Sequence, residues 1–366
     1  MATTAVVGAT GTLSLSVLLS HPYRLTRLAG EAGPVGPGGG GLWTTSLRAI
    51  SGVVRAPDGA LYIADPFYHQ VRRVIGGNAE RIGGSSQGLA GFVDQVAATA
   101  SRFSSPSGLF LDSRSGALLV CDTGNRRVRL FRPGGIVSTF AGGGLVTSSP
   151  TTAASMYLDA PVALAGDRYG NLFVADRDGG RVWRLASDRT AHLVANMPGA
   201  CALALDSERN LLWVGTSTGR VHRVTGARTA PVLDLATPVL ERNGQRIQGL
   251  VTNQQGTLFA LSATVAGDAR LWRFPVDAQG RLEPGQTPIA IAGTGIAGAA
   301  SADYVASTTP TLDALQAKIS VPRPACLFLD LSHVGAAATP AGQLILGVGY
   351  EGAVGWAQVI QLDVTD

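Results

Sequence analysis

Residues 105–143 read SPSGLFLDSRSGALLVCDTGNRRVRLFRPGGIVSTFAGG. Four short runs rich in Val, Leu and Phe are each bounded by Gly, Asp or Ser, the pattern of strands joined by tight turns. In order they are a P-x-G-L-x-x-D strand, a strand ending in an acid, an R-V-x-L strand and a last strand running into A-G-G. Four successive strands with short turns make an antiparallel meander.

The phrase recurs. Residues 50–84 hold ISGVVRAPDGALYIADPFYHQVRRVIGGNAERIGG, and residues 161–196 hold PVALAGDRYGNLFVADRDGGRVWRLASDRTAHLVAN. Degenerate copies follow at 200–235 and 247–293, with Thr216 or Ser262 in place of the acid. The last copy starts at Pro324, continues as GQLILGVG and ends in AQVIQLDV, without a fourth strand. YRLTRLAGEAG at 23–33 has the pattern of IVSTFAGGG at 136–144 and supplies the missing strand. Recurrence of one supersecondary unit means a repeat architecture. The expected fold is therefore all-β, a six-bladed β-propeller of four-stranded antiparallel blades. The ring is closed by an N-terminal strand pairing with the C-terminal blade, which removes open ends. Residues 1–22 form an N-terminal extension, in which TLSLSVLL at 12–19 alternates like an extra strand, and 23–366 form a single propeller domain.

The units resemble NHL repeats, most closely at GLFLDSRSGALLVCDTGNRRVRLF and ALAGDRYGNLFVADRDGGRVWRL, and the resemblance extends over residues 23–364. It implies the fold and leaves the activity open, since one propeller hosts many functions.

Composition agrees. The chain has 366 residues with Gly 48, Pro 19 and 15% charged residues, which suits short strands and tight turns better than helices or disorder. The net charge of +4 is carried by arginine, with Lys318 the sole lysine. Arginines scattered along the repeats do not gather the charge that nucleic-acid binding needs, so nucleic acid is not an expected partner. Cys121, Cys201 and Cys326 sit in apolar runs without metal spacing and read as small buried hydrophobes. The N-terminus lacks a basic n-region and is too polar for a membrane span, so no signal peptide is evident and the compartment stays open.

Long connections at 30–49, 83–105, 141–160 and 292–320 begin with glycines, GPGGGG at 36–41 being a flexible linker. FVDQVAATASRF at 92–103 and TLDALQAKI at 311–319 space apolar residues for short helices. Such insertions are expected on one face, which becomes the interaction surface.

Candidate chemistry is thin. Asp65, Asp122 and Asp176 recur at the end of the second strand and are expected to close turns by accepting backbone N–H groups. Arg73, Arg184, Arg223 and Arg273 recur on the third strand and are expected to brace grooves between blades. The x of P-x-G predicts the channel lining: Ser51, Ser107, Val162, Cys201, Gln248 and Ala325. That ring carries no carboxylate or imidazole, unlike the metal-binding axes expected of lactonases and amidating lyases on related folds. His21, His69, His192, His222 and His333 share no ligand spacing, so neither metal nor cofactor is expected. A Cys201 nucleophile would need a base, and His222 lies outward on the third strand. Arg48, Arg246 and Arg323 precede inner strands and could form an anion-binding rim, with Asp159 comparably placed.

The leading expectation is a non-catalytic scaffold that binds a protein or peptide on its long-loop face. The alternative is a lyase or hydrolase-type enzyme taking an anionic small substrate at the central channel. RNA on a basic face is a weaker third reading.

Overall fold

The structure, a computed structural model, describes residues 49–75, 78–233, 246–252, 257–263 and 268–274, and shorter segments at 6–7, 13–14, 24–29, 237–238, 276–277, 279, 281, 288–292, 319–320, 327–330, 343–350 and 356–363. The described strands form six sheets of four or five strands and one separate two-stranded pair. The fold is an all-β propeller. In the first blade the strands are Gly52–Arg55, Leu61–Asp65, Gln70–Ile75 and Asn78–Gly83. In the second they are Pro106–Asp112, Ala117–Asp122, Arg127–Phe131 and Ile136–Gly142, matching the quoted repeat. Blades built on Pro161–Gly166, Ala200–Asp206 and Arg246–Thr252 follow, and a sixth sheet contains Leu327–Asp330, Gln343–Tyr350 and Trp356–Asp363.

The P-x-G phrase has a specific geometry. Asp122 pairs with Pro106 and Val120 with Leu109, so the inner strand carries an extra residue at Ser107–Gly108. The same skip falls at Val162, at Cys201 and at Gln248. A bulge of this kind re-aims the side chain of its extra residue. Beside it the backbones of neighbouring blades touch: a Cβ on Gly108 would stand 2.6 Å from the Val162 oxygen and 2.9 Å from Ala163 Cα. Gly52 presses in the same way on the carbonyl oxygen of Ser107. Glycine stands here because no Cβ fits between adjacent inner strands.

The core is divided among the gaps between blades. Val54 and Tyr62 of the first blade pack with Leu118, Val120 and Phe131 of the second. Leu119 and Cys121 of the second pack with Val174 and Trp183 of the third. Second strands such as LYIAD, ALLVCD and LFVAD are therefore buried on both faces and read as continuous apolar runs.

The long connections depart from expectation. Within 92–103 there is no α-helix: Val96–Ala97 is a fifth strand on the outer edge of the second blade, pairing Val96 with Val137, and Ala98–Ala100 is a 3-10 turn. Phe103 is fully buried and closes the segment. Blades splay apart away from the axis, leaving a wedge and an unpaired strand edge, and this connection fills both. Thr151–Thr152 does the same on the third blade, pairing with Ala191 and Thr190, while Met156 and Leu158 are buried behind it. In the other candidate helix, Ile319–Ser320 is a strand paired with Asp268 and Ala269, and residues 311–318 lie outside the described residues. Both described connections thus supply an outer strand and a few buried side chains, while other residues of them, Leu89, Phe92 and Leu145 among them, remain exposed.

Arg24–Ala29 pairs antiparallel with Trp356–Asp363, with a one-residue skip at Leu28. The outer strand of the second blade skips at Phe140 in the same way. Leu13–Ser14 pairs with Val6–Val7 in a sheet of its own, and the remainder of 12–19 and the linker at 36–41 lie outside the described residues.

Replacing Gly108 with Val should cost about 1–3 kcal/mol, because strain at this contact cannot relax without parting two backbones. Urea unfolding of the wild type and Gly108→Val checks it.

Candidate functional site

Of the six residues expected around the channel, Ser51, Ser107 and Cys201 take part in hydrogen bonds between neighbouring inner strands. Ser51 Oγ donates to the Pro106 carbonyl at 2.7 Å. Thr123 Oγ1 donates to the Pro161 carbonyl at 2.7 Å, so the proton between it and Ser107 Oγ, 2.6 Å away, belongs to Ser107. Cys201 Sγ lies 3.0 Å from the Ile247 carbonyl and donates to it. Ser51 and Cys201 thus donate to the inner strand of the next blade and Ser107 reaches it through Thr123, so these side chains serve as fasteners between blades. Val162 and Gln248 are half-buried, and Ala325 lies outside the described residues.

Burial pushes the Cys201 thiol up to about 12, against the opposing pull of Arg177 and Arg246. It stays protonated, and protonated thiols are poor nucleophiles. His222 faces Val214 across the strand pair Leu211–Thr216 and Arg220–Thr225, and burial makes it a weaker base.

Of the expected rim, Arg246 is exposed at the start of its inner strand, while Arg48 and Arg323 lie outside the described residues. Asp159 is turned away toward Arg126, at 3.4 Å, and accepts from the Tyr157 hydroxyl at 3.2 Å. Arg177 is a further cation near the start of an inner strand, outside the rim pattern. Arg177 follows the repeated acid of the third blade, its N–H donating to Ala160 O at 2.9 Å and its carbonyl accepting from Gly199 N at 3.3 Å. Its backbone is fixed while its guanidinium holds Asp178 bidentately, Nε–Oδ1 at 2.6 Å and Nη2–Oδ2 at 2.9 Å. Pro66, Thr123, Arg177 and Ser217 occupy this position in successive copies, so the signal was divergence at one place in the repeat.

The repeated acids do structural work, with one correction. Asp65 closes its own turn, accepting from Phe67 and Tyr68 N at 3.1 Å. Asp122 and Asp176 instead reach the connection before their inner strand, accepting from Ser104 N at 2.7 Å and Ala160 N at 2.7 Å. That connection brings N–H groups without strand partners, which a buried carboxylate satisfies.

The expected arginine braces are displaced by one residue. Arg73 pairs with Asp58 at 2.9 Å and Glu80 at 3.2 Å inside its own blade, and Arg184 reaches Asn171 at 3.1 Å. Arg223 does cross to the next blade, donating to Gln279 O at 2.8 Å. The buried brace is the preceding residue, because strand alternation points it inward. Fully buried Arg129 binds Asp122 at 2.9 Å, Asp94 at 3.0 Å and the Val93 carbonyl at 2.8 Å. Arg72 stands 3.7 Å from Asp65. In the fifth blade Trp272 Nε1 donates to Ser262 Oγ at 2.8 Å from the corresponding positions.

His69 takes a left-handed turn position, φ 54°, that Gly180 and Gly219 fill in later blades, and its Nδ1 accepts from Ser105 N at 3.0 Å. His192 is half-buried, and His21 and His333 lie outside the described residues. Among the described residues no group of three His, Cys, Asp or Glu stands together to hold a metal ion, and no helix is long and apolar enough to cross a membrane.

No family model matches the chain, and no curated protein matches it in sequence. Solved structures do match in fold. A gluconolactonase from Xanthomonas campestris superposes with TM-score 0.55 at 14% identity, covering 94% of this chain and 90% of that one. A streptogramin B lyase gives TM-score 0.52 at 12% identity over 94% and 98% of the two chains. A luciferin-regenerating enzyme gives 0.54 at 11% identity over 90% and 95%. The chain shares the propeller fold with these structures.

Burial raises the Asp65 carboxyl to about 6, against the pull of Arg72 and the turn N–H groups. The folded protein therefore keeps a proton that the unfolded chain loses above about 4, and stability falls as pH rises through that window. The urea midpoint should drop between pH 4 and pH 6 from this group, and Asp65→Asn should flatten that part of the profile.

Proposed function

We propose that the protein is a binding propeller that receives an anionic group at the mouth of its axis. The observation that carries this is that Arg177 and Arg246, from different blades, both adjoin the start of the inner strand that holds Cys201: the Arg177 carbonyl accepts from Gly199 N at 3.3 Å, and the carbonyl of Ile247, next to Arg246, accepts from Cys201 Sγ at 3.0 Å. The exposed Arg246 offers its planar fork to the oxygens of a carboxylate or phosphate, while Arg177, whose Nε and Nη2 already hold Asp178, has only its remaining guanidinium N–H groups to add. The neighbouring hydroxyls of Ser51 and Thr123 donate to carbonyls and that of Ser107 to Thr123, so what the described ring offers is charge and shape rather than a nucleophile and base. The scaffold around it is, in this reading, a closed six-bladed ring of NHL type with Arg24–Ala29 as the fourth strand of the sixth blade. The shared skip at Leu28 and Phe140 supports that assignment.

A second reading is an enzyme of the lyase or hydrolase kind holding its anionic substrate on the same arginines. The names of the gluconolactonase and the streptogramin B lyase favour it. The two readings separate in one experiment. Calorimetric titration with small mono- and dicarboxylates and with inorganic phosphate should show binding that weakens about tenfold in Arg177→Gln or Arg246→Gln, the loss expected for one charged hydrogen bond. Unchanged affinity in both variants would overturn the mouth as the site. Release of acid from a sugar lactone, abolished by the same substitutions, would move the assignment from binding to catalysis.

A further inference from the structure

A second surface lies away from the axis, on the face where second strands end and inner strands begin. It can be followed contact by contact across the first three blades. Phe67 meets Tyr68 edge-on with ring centroids 5.0 Å apart, and Tyr68 lies against Gly88, next to Leu89. Asn125 Nδ2 donates to Gly91 O at 2.7 Å, tying the second blade to the connection that carries Phe92. The Arg127 guanidinium stands 4.3 Å from the Phe92 ring and lies against Gly143, two residues before Leu145. Tyr157 donates its N–H to Val146 O at 2.8 Å, and its ring faces the Arg126 guanidinium at 5.9 Å.

The apolar members are open to solvent, with Phe67 46%, Leu89 45%, Phe92 44% and Leu145 87% exposed. Leu145 is held out by an ordered turn, not by a loose one: Gly144 N donates to Met156 O at 3.2 Å and Val146 N to Ser155 O at 2.9 Å. Contiguous exposed apolar residues rimmed by polar ones mark interaction sites. Positive charge outweighs negative around them. Arg102 and Arg126 are exposed and Arg127 is half-buried, whereas of the two carboxylates Asp94 is engaged by Thr139 at 2.7 Å and Arg129 at 3.0 Å, and Asp159 offsets one of the three arginines by pairing with Arg126 at 3.4 Å.

We propose that this strip docks an acidic peptide segment of a partner protein, with its apolar side chains on Phe67, Phe92 and Leu145 and its carboxylates on Arg102 and Arg126. Aromatic residues and arginine are the side chains on which interface energy concentrates. The aliphatic Leu89 and Leu145 fit apolar anchors and offer no stacking plane for bases. A few arginines supply less phosphate neutralisation than nucleic-acid binding draws on. The occupant is therefore a peptide with alternating acidic and apolar character, seated independently of the axial mouth.

Fluorescence anisotropy tests this with three labelled probes: a short peptide alternating Glu with Leu and Phe, its counterpart with Gln for Glu, and a short oligothymidylate. The acidic peptide should bind in preference to both others, and Arg126→Glu and Leu145→Asp should each weaken it about tenfold or more, as loss of an interface anchor does. Ile136→Asp, an exposed apolar residue on the blade rim, should leave binding unchanged, and circular dichroism confirms that each variant folds. Equal binding of the Gln peptide, preference for the oligonucleotide, absence of binding, or equal loss in Ile136→Asp would each overturn the proposal. Titration of the mouth with small carboxylates is read separately, so either site can fail alone.

Discussion

Everything in this molecule hangs on the approach of neighbouring inner strands to backbone contact. At Gly52 and Gly108 there is no room for a Cβ, because the carbonyl of the next blade occupies its place. Beside the contacts Ser51 and Cys201 donate to the neighbouring inner strand, and Ser107 reaches it through Thr123. The two features are one device: the glycine lets the strands meet and the side chain beside it fastens them. Burial of an unpaired carbonyl would be costly, so the fastener also removes a penalty that the close approach creates.

Around this hub the blades differ in how they tie the second strand to the third. The first two blades use Arg72 with Asp65 and Arg129 with Asp122, while the fifth uses Trp272 with Ser262. Where the acid shrinks to a hydroxyl, the cation gives way to a neutral donor. A buried cation facing Ser262 would lack its counter-charge, but the exchange does not run only one way: the third blade keeps the buried acid Asp176 and carries Trp183 at the position of Arg72 and Arg129.

Much of this was legible in the sequence. Copies at 50–84, 105–143 and 161–196 fell on observed blades because both-face burial writes apolar runs between turn residues, and turns are local. The strand at Arg24–Ala29 was legible by comparison with Ile136–Gly142. Side-chain direction was not. Composition does not write which atoms meet, so the hydrogen bonds by which Ser51, Cys201 and the Ser107–Thr123 pair tie their strands to the next blade were not foreseen. The arginine braces were misplaced for a related reason, since in Arg72–Arg73 either residue satisfies the pattern and only strand pairing decides which is buried. The segment FVDQVAATASRF carries helical spacing, yet the demand of a strand edge for partners overrides it. Arg177 escaped because it belongs to the turn and not to the repeated phrase.

The fifth strands have a further consequence for how the chain must assemble. Val96–Ala97 precedes the inner strand of its blade and pairs with Ile136–Val137, which belongs to the last strand made. Thr151–Thr152 stands in the same relation to Thr190–Ala191. Each of these blades is therefore clasped, its earliest and latest segments hydrogen-bonded around the strands between them. A clasp of this kind cannot shut until the whole blade has emerged, and once shut its outermost strand cannot fray without releasing chain from both ends. Cooperativity is then a property of the single blade as well as of the ring, and the outer edge, normally the first part of a sheet to open, is tied into the unit that opens last.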